Sequence, residues 1–363
     1  MVFSYVLAIF VAIAVIDKIT GNHLKLGSEF EKGFSMACPL ILSMSGMVVL
    51  APVISKGLIY AFASVVDMLG LDMSIVSTFF PVDSGGALIA YELSDNEPIR
   101  GYNGIIVASM FGATICPVLP MAFTMIDKQY HEEVRLGFLC GFATIPVGCF
   151  VSGLILRIPF LEILKNSVHI ILISILICIG IIKKPKLVEK IVAVIGWALN
   201  IVMLVGLALG IFEKLTGIKP IPGMAPIDDA LLIIGDILII LSGIFPLLSV
   251  ITKLCKGLFS RLGNLLQINL HAVTGLVTTL ANCIPMFGLM EKMDKKGRVM
   301  NIAFAVSAGF ALGDHLAYTL SFDNAFAWVM VVGKVLGGLA SILLVNAVFR
   351  MRERRGTATV NSQ

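Results

Sequence analysis

Six residues carry side chains that could do chemistry in apolar surroundings: Asp83, Ser84, Asn282, Asp314, His315 and Lys334. The first two lie in FFPVDSGG (79–86), where an acid follows a proline and precedes paired glycines within a hydrophobic stretch. A carboxylate near the centre of a membrane helix costs about 2.5–3.5 kcal/mol on insertion scales, so one that persists there has a partner or a task. Pro81 removes an amide donor, while Gly85 and Gly86 loosen the backbone. Such a break exposes carbonyls and amides, which a bilayer tolerates only inside protein or beside a watery cavity. The chemistry on offer is cation binding, with freed carbonyl oxygens near Pro81 from one half of the helix and a side-chain acid from the other.

A second segment, TLANCIPMFG (279–288), repeats the design with Asn282 in place of the acid and Pro285 as its helix break. One anionic and one neutral polar position suit a monovalent cation that also carries a hydrogen-bonding group. Capping or interhelical hydrogen bonding, worth only about 1 kcal/mol, is the alternative for Asn282. In SAGFALGDHLAYTL (307–320), Asp314 and His315 are adjacent after a run of small residues. Histidine changes charge nearest neutral pH, so this pair could bind a cation, relay a proton or satisfy itself internally. Lys334, in MVVGKVLGG, either snorkels to the interface or forms a buried ion pair with Asp314 or with Asp236 of IIGDILII. Phe287 and Phe310 could line a cation, although at helical spacing they also read as packing. Asp17, Asp67 and Asp72 read as helix-end carboxylates that reach water.

These residues must be held by membrane helices. The chain is 58% hydrophobic and 14% charged, against about 45–50% and about 25% in soluble domains, and its mean hydropathy is +0.98. A spanning helix needs roughly 20 apolar residues. Eleven stretches qualify: 3–19, 33–55, 71–92, 103–126, 135–158, 166–182, 189–213, 230–251, 269–290, 298–321 and 326–349. Shorter apolar pieces remain at 57–70 and 254–266. The first span lacks the charged start and small-residue exit of a cleavable signal peptide, so it is expected to stay as a helix. The expected fold is therefore an all-α polytopic membrane protein of about 11 transmembrane helices plus short broken or re-entrant segments.

Several function classes fall away. The net charge of +4 is modest and its basic clusters, KKPKLVEK (183–190), EKMDKKGR (291–298) and RMRERR (350–355), are explained by membrane topology without nucleic acid. No metal site, Walker loop or dinucleotide fingerprint occurs, so no cofactor is expected. Seven scattered cysteines without C-x-x-C spacing read as small buried hydrophobes. Ser84, Asp314 and His315 include the ingredients of acid–base catalysis, but no nucleophile motif such as G-x-S-x-G frames them, and an enzyme is not expected.

The chain also resembles itself. At a shift of 199 residues Asp83 falls on Asn282, Glu92 on Glu291 and Asp95 on Asp294. At 198, Arg100 meets Arg298, Asn103 meets Asn301 and Ser109 meets Ser307; at 197, Ser45-Gly46 meets Ser242-Gly243. Transporters are commonly built from two such halves with the substrate between them. Eleven plain spans would make the halves parallel. The acidic loop ELSDNEPIR (92–100) against the basic EKMDKKGR argues instead for inverted repeats, with 57–70 and 254–266 as half-crossing pieces. The expected divisions are a first repeat over 1–165, connecting helices over 166–229, a second repeat over 230–349 and a cytoplasmic basic tail over 350–363.

VDSGGALIAYEL (82–93), TIPVGC (144–149), PIPGMAPI (220–227) and, above all, TLANCIPMFGLMEKMDKKGRVMNIAFAVSAGFALGDHL (279–316) are similar to the ethanolamine utilisation transporters of the EutH type. The similarity runs from VIDKI (15–19) and FEKGFSM (30–36) to VGKVLGG (332–338). The resemblance implies a multi-pass protein of the bacterial cytoplasmic membrane that takes up ethanolamine for breakdown by an ammonia-lyase in a microcompartment. Ethanolamine, a primary ammonium beside a hydroxyl, would find an acid at Asp83 and hydrogen-bonding groups at Ser84, Asn282 or His315. Proton- or sodium-coupled symport of another small amine, a channel-like facilitator, and a homo-oligomeric state remain open from the sequence.

Overall fold

A computed structural model describes residues 2–254 and 256–360, and among them every regular element is helical. Cys255 and residues 361–363 of the basic tail lie outside the described residues. By length and composition, seven helical stretches among them can cross a membrane: Leu26–Met68, Glu97–Met125, Lys128–Ile155, Phe160–Lys183, Pro185–Thr216, Ile227–Leu254 and Ala327–Arg352. Helix α1 (Val2–Ile19) is continuous, as expected, and leads through a turn into α2 (Leu26–Ser35) and α3 (Ala37–Met68). The turn is built on Asp17. Its carboxylate accepts the amides of Leu24 and Leu26 at 2.8 Å and of Gly27 at 3.3 Å. Asp17 is therefore buried in backbone donors and does not reach water as expected, whereas Asp67 is exposed.

The piece expected to stand apart at 57–70 does not. It is the last third of α3, with no break between, because nothing after Gly57 interrupts helix formation and Leu58 and Val66 pack on the elements that follow. The half-crossing geometry lies elsewhere. The 3-10 helix Met73–Phe79 runs inward, the backbone breaks at 80–86, and α4 (Ala87–Leu93) returns. Asp72 caps the inward limb through the Ser74 amide and also accepts the Ser94 hydroxyl at 2.7 Å, tying both ends of the segment together. The predicted span 71–92 is thus a helical hairpin with Asp83 at its tip.

The same construction recurs after α5 (Glu97–Gly101), α6 (Leu119–Met125), α7 (His131–Ile155), α8 (Phe160–Lys183), α9 (Pro185–Thr216), α10 (Ile227–Leu254) and α11 (Lys256–Leu266). Helix α12 (Leu270–Ala281) runs inward, Asn282 is extended, and α13 (Cys283–Leu289) returns. Asn269 caps α12 through the Ala272 amide and donates from its side chain to the Lys292 carbonyl at 2.8 Å, closing the second hairpin. Limbs of 12 residues in α12 and 7 in the first 3-10 helix, at about 1.5 and 2.0 Å rise per residue, carry Asn282 and Asp83 some half of the ~30 Å hydrocarbon thickness inward.

A helix crosses each tip. Residues Tyr102–Gly112 and Thr114–Val118 form a wide π-helical stretch between α5 and α6, beside Asp83. In the other half, α14 (Lys295–Ala308) and α15 (Asp314–Phe322) are separated by an irregular turn in which Phe310 has φ +61°. The turn supplies what the hairpin lacks: the Phe310 amide donates to the Thr279 carbonyl at 3.0 Å and the Leu312 amide to the Leu280 carbonyl at 2.7 Å. The last carbonyls of α12, which have no intrahelical donor, are satisfied by the break in its neighbour. The predicted span 298–321 is accordingly two short helices.

The long α16 (Ala327–Val360) and α7 pack on α14 at the centre. Gly137 and Gly141 of α7 meet Ile302 and Val306, while Gly333 and Gly337 of α16 meet Ser152 and Ser307, the small-residue spacing that lets membrane helices approach closely. By contrast α8 and α9 bury 28% and 17% of their apolar windows, against 83% for the stretch 97–125, so they lie at the periphery. Cysteines 116, 140, 149 and 283 are buried free thiols; Cys38, at the start of α3, is exposed instead. Both crossings are set by glycine. A Cβ on Gly313 would stand 1.9 Å from the Ala281 carbonyl oxygen and one on Gly112 2.1 Å from that of Phe80, whereas Gly235 faces open space. Gly313→Ala and Gly112→Ala should each lose at least ~1–3 kcal/mol through overpacking, seen as lower thermal midpoints in detergent beside an unchanged Gly235→Ala control.

Candidate functional site

The two hairpin tips and the break before α15 converge on four ionisable residues. Pro81 is extended (φ −59°, ψ 148°), and the chain then passes through Ser84 (φ −108°, ψ 41°) and Gly85 at φ +113°, a region glycine adopts freely. This kink presents Asp83, with the Ser84 hydroxyl 3.3 Å from its Oδ1. The carbonyl of Pro81, expected to be free for a cation, is occupied: it accepts the amides of Ser84 at 3.1 Å and Gly86 at 2.8 Å. The neighbouring Phe79 carbonyl takes the Cys116 thiol at 3.4 Å. What the break offers is therefore the carboxylate more than the backbone.

Asp314 is the first residue of α15, which packs against 82–86, and a helix N-terminus is where a carboxylate is favoured. Asp83 and Asp314 lie within electrostatic reach of one another. Lys334, on α16, is 1% exposed and acts on both Asp83 and His315. Its ammonium donates to the Ser109 carbonyl within the π-helical stretch. Neither ion pair expected for Lys334 forms among the described residues. Asp236 points outward from α10, so it cannot meet a lysine on the inward face of α16, and Asp314 stays beyond the 4.0 Å that defines an ion pair. Snorkelling is excluded too, because the amine ends in the core.

Asn282 behaves as a cap. Its side-chain oxygen accepts the Ile284 amide at 2.8 Å, which leaves its Nδ2 without a partner among the described residues. Pro285 is not the breaking residue. It sits in the first turn of α13, where its missing amide has no intrahelical acceptor to lose; the extended Asn282 makes the break. His315 is buried and its Nδ1 lacks a partner, and its ring lies 5.2 Å from that of Phe310. Phe287 and Phe310 are both buried.

Sequence reasoning missed Tyr318. It lies one helical turn after Asp314 on α15, is completely buried, interacts electrostatically with Asp83, and its hydroxyl has no hydrogen-bond partner. The i, i+4 spacing from Asp314 was the available signal. Thr279 and Ser307 add two more unpartnered buried hydroxyls near the crossing. Buried polar groups are ordinarily paired; of the thirteen buried side-chain atoms without a partner among the described residues, four are on Thr279, Ser307, His315 and Tyr318. A cavity of about 130 Å³ lies on the other side of the first hairpin, towards α3 and α9, lined by Ser43, Met47, Pro81, Ser84, Cys116 and Leu199 among others; Asp83, Asp314, His315 and Lys334 do not line it.

Two clasps flank the centre. Arg100 stacks on Tyr91 at 4.3 Å, and the Tyr91 hydroxyl donates to Asp323. Arg298 stacks on Tyr130 at 4.3 Å and donates to Glu133 at 3.2 Å. Each joins a residue before α8 to one after α11.

A multi-pass helical membrane protein with ionisable groups gathered between two fractured hairpins is, as a class, built like a carrier of small polar solutes. The chain belongs to the ethanolamine utilisation protein EutH family, whose profile matches residues 1–348. It is 39% identical to the probable ethanolamine permease EutH of Listeria monocytogenes, over 93% of this chain and 91% of that protein. The probable ethanolamine permease EutH of Salmonella typhimurium is 34% identical over 94% and 93%. The uncharacterized protein YxeR of Bacillus subtilis is 34% identical over 93% and 91%. No solved structure matches.

The cap and the site can be separated. Asn282→Ala should cost about 0.5–2 kcal/mol, the range for a lost N-cap, and Asn282→Ser should recover most of it. The readout is the thermal midpoint of the purified protein.

Proposed function

We propose that this protein is a permease that takes up ethanolamine, with the protonated amine held at Asp83 and Asp314. One observation carries the reading: the hairpin tip that bears Asp83 packs against the start of α15, where Asp314 lies, and beside the stretch that holds the buried Lys334 amine, in a chain that matches relatives named probable ethanolamine permease over nine-tenths of its length. Ethanolamine is a monocation at neutral pH, as alkylamines of pKa near that of lysine are. Its ammonium needs carboxylate oxygens, and its hydroxyl needs a donor or acceptor. His315 Nδ1, the Tyr318 hydroxyl and Asn282 Nδ2 are unpartnered groups on the elements that pack there, and would serve the hydroxyl. The cavity beside Ser84 has room for a solute of a few heavy atoms.

Alternating access follows from the arrangement of the halves. We read them as inverted repeats, and three features support this. Both hairpins are tied at their ends by a capping residue. Both tips cross a neighbouring helix at a glycine. The stretch Leu26–Met68, which holds α2 and α3, runs antiparallel to α10, which the internal match aligns with it: Gly33 of α2 lies against Ser242 midway along α10, and the Ala225 amide just before α10 donates to the Val49 carbonyl of α3 at 2.9 Å. Counting the two hairpins as half-crossings gives an odd number of passes between the halves. The clusters 183–190 and 291–298 then share one end of the bundle with the terminal basic tail, a side supported by the Arg135–Glu189 pair and by Arg352 lying near Cys140. Basic loops face the cytoplasm, so that end is assigned to the cytoplasmic side of the bacterial inner membrane. The Arg100 and Arg298 clasps, at opposite ends, are suited to hold one side closed while the other opens.

Replacing Asp83 with Asn removes a charged hydrogen bond worth about 1.5–3 kcal/mol, or roughly 10- to 100-fold in affinity. Labelled ethanolamine uptake into liposomes containing only this protein should fall by that factor at subsaturating substrate. Uptake equal to wild type from a correctly inserted Asp83→Asn protein discards the assignment.

A further inference from the structure

Lys334 is the least expected member of the site, because a resident ammonium repels the ammonium to be carried. Its surroundings are built. The side chain is among the largest fully buried ones, its amine is fixed on the Ser109 carbonyl, and that carbonyl belongs to a π-helical stretch crossing the Asp83 hairpin. No carboxylate lies within 4.0 Å of it among the described residues, so its charge is not consumed by an ion pair. It sits instead beside the Asp83 hairpin: a Cβ on Gly86 would stand 2.8 Å from the Cβ of Ala108, the residue before its acceptor, and α15, which begins at Asp314, packs on 82–86.

We propose that Lys334 sets the charge selectivity of the site, holding its formal charge at −1 so that one monovalent amine is accepted and a diamine dication is refused. With one proton held among the two acids and the amine the sum is that value, and moving the proton from Lys334 to an acid leaves it unchanged. Burying charge without a matching partner is costly, so the cargo that balances the site is a single positive charge. Without Lys334 the pair of acids would balance a dication. This inference rests on the reading of the site as the amine site.

The test uses the full chain in liposomes, with 1,3-diaminopropane, a compact diamine, as competitor against labelled ethanolamine. Wild type should require far more diamine than unlabelled ethanolamine for half-inhibition. In Lys334→Met that ratio should fall at least tenfold, in Lys334→Arg it should stay at the wild-type value, and in Lys334→Met with Asp314→Asn, which restores the formal charge of −1, it should return towards wild type. An unchanged ratio in inserted Lys334→Met overturns the proposal. If Lys334→Met transports nothing, the same ratio is read from thermal shifts of the purified protein with each amine. Failure of Lys334→Met to insert, rescued by Asp314→Asn, supports the charge balance; failure of both variants overturns it and leaves Lys334 a packing element. Wild-type liposomes that accumulate no ethanolamine, yet show the diamine-selective shift on Lys334→Met, would separate a wrong substrate from a wrong role for the lysine.

Discussion

The middle of a bilayer offers no water to an interrupted backbone, and this constraint organises the whole molecule. Every helix broken there must find donors and acceptors in another part of the chain. At the second hairpin the solution is reciprocal: the carbonyls ending α12 take the amides of the turn between α14 and α15. At the first, the Pro81 carbonyl folds the hairpin onto itself by accepting two amides of its own tip. Such exchanges require the backbones to touch, and Gly112 and Gly313 allow it. Once backbones cross at this depth, the side chains beside the crossing are held near the centre of the membrane. Asp83, Asn282 and Asp314 are those side chains.

Placing acids there creates the second problem, which the fold answers by arrangement rather than by pairing. A direct Lys334 ion pair would neutralise one acid and hide it from a solute. With the amine on Ser109, the acids remain available while their combined field is reduced. Unpartnered groups on His315, Tyr318, Thr279 and Ser307 complete the picture of a centre with spare hydrogen-bonding capacity in an otherwise apolar interior. Spare capacity of this kind is costly in a static core and useful where a polar solute comes and goes.

Much of this was legible in the residues. Hydropathy marked a polytopic helical chain, and PVDSGG marked a break because proline and glycine act locally. The folding-back of 71–92 and 269–290 was not legible. A full span and two half-spans have the same hydropathy, and the deciding contacts, Ser94 on Asp72 and Asn269 on the Lys292 carbonyl, join residues about twenty positions apart. The break before Asp314 was hidden for another reason: GFALG reads as small residues at a helix contact, and the left-handed Phe310 has no signature in residue type. Lys334 was recognised as unusual, but its acceptor is a backbone carbonyl 225 positions away, which no side-chain pattern announces. Asp236 failed as its partner because a single acid on an apolar helix does not reveal which face it occupies.

The halves share a framework and differ where the chemistry is. Their hairpins, capping residues and crossing glycines correspond, yet one tip carries Asp83 and the other Asn282. Lys334 is the eighth residue of α16, and the eighth residue of α7 is the buried Phe138. Had both halves kept the same side chains, Asp83, Asp314 and Lys334 would each occur twice, four acids against two lysines; instead Asn282 stands opposite Asp83 and Cys116 opposite Asp314. Divergence at a few positions, Asp83 against Asn282 and Lys334 against Phe138, makes the two halves chemically unlike where they meet.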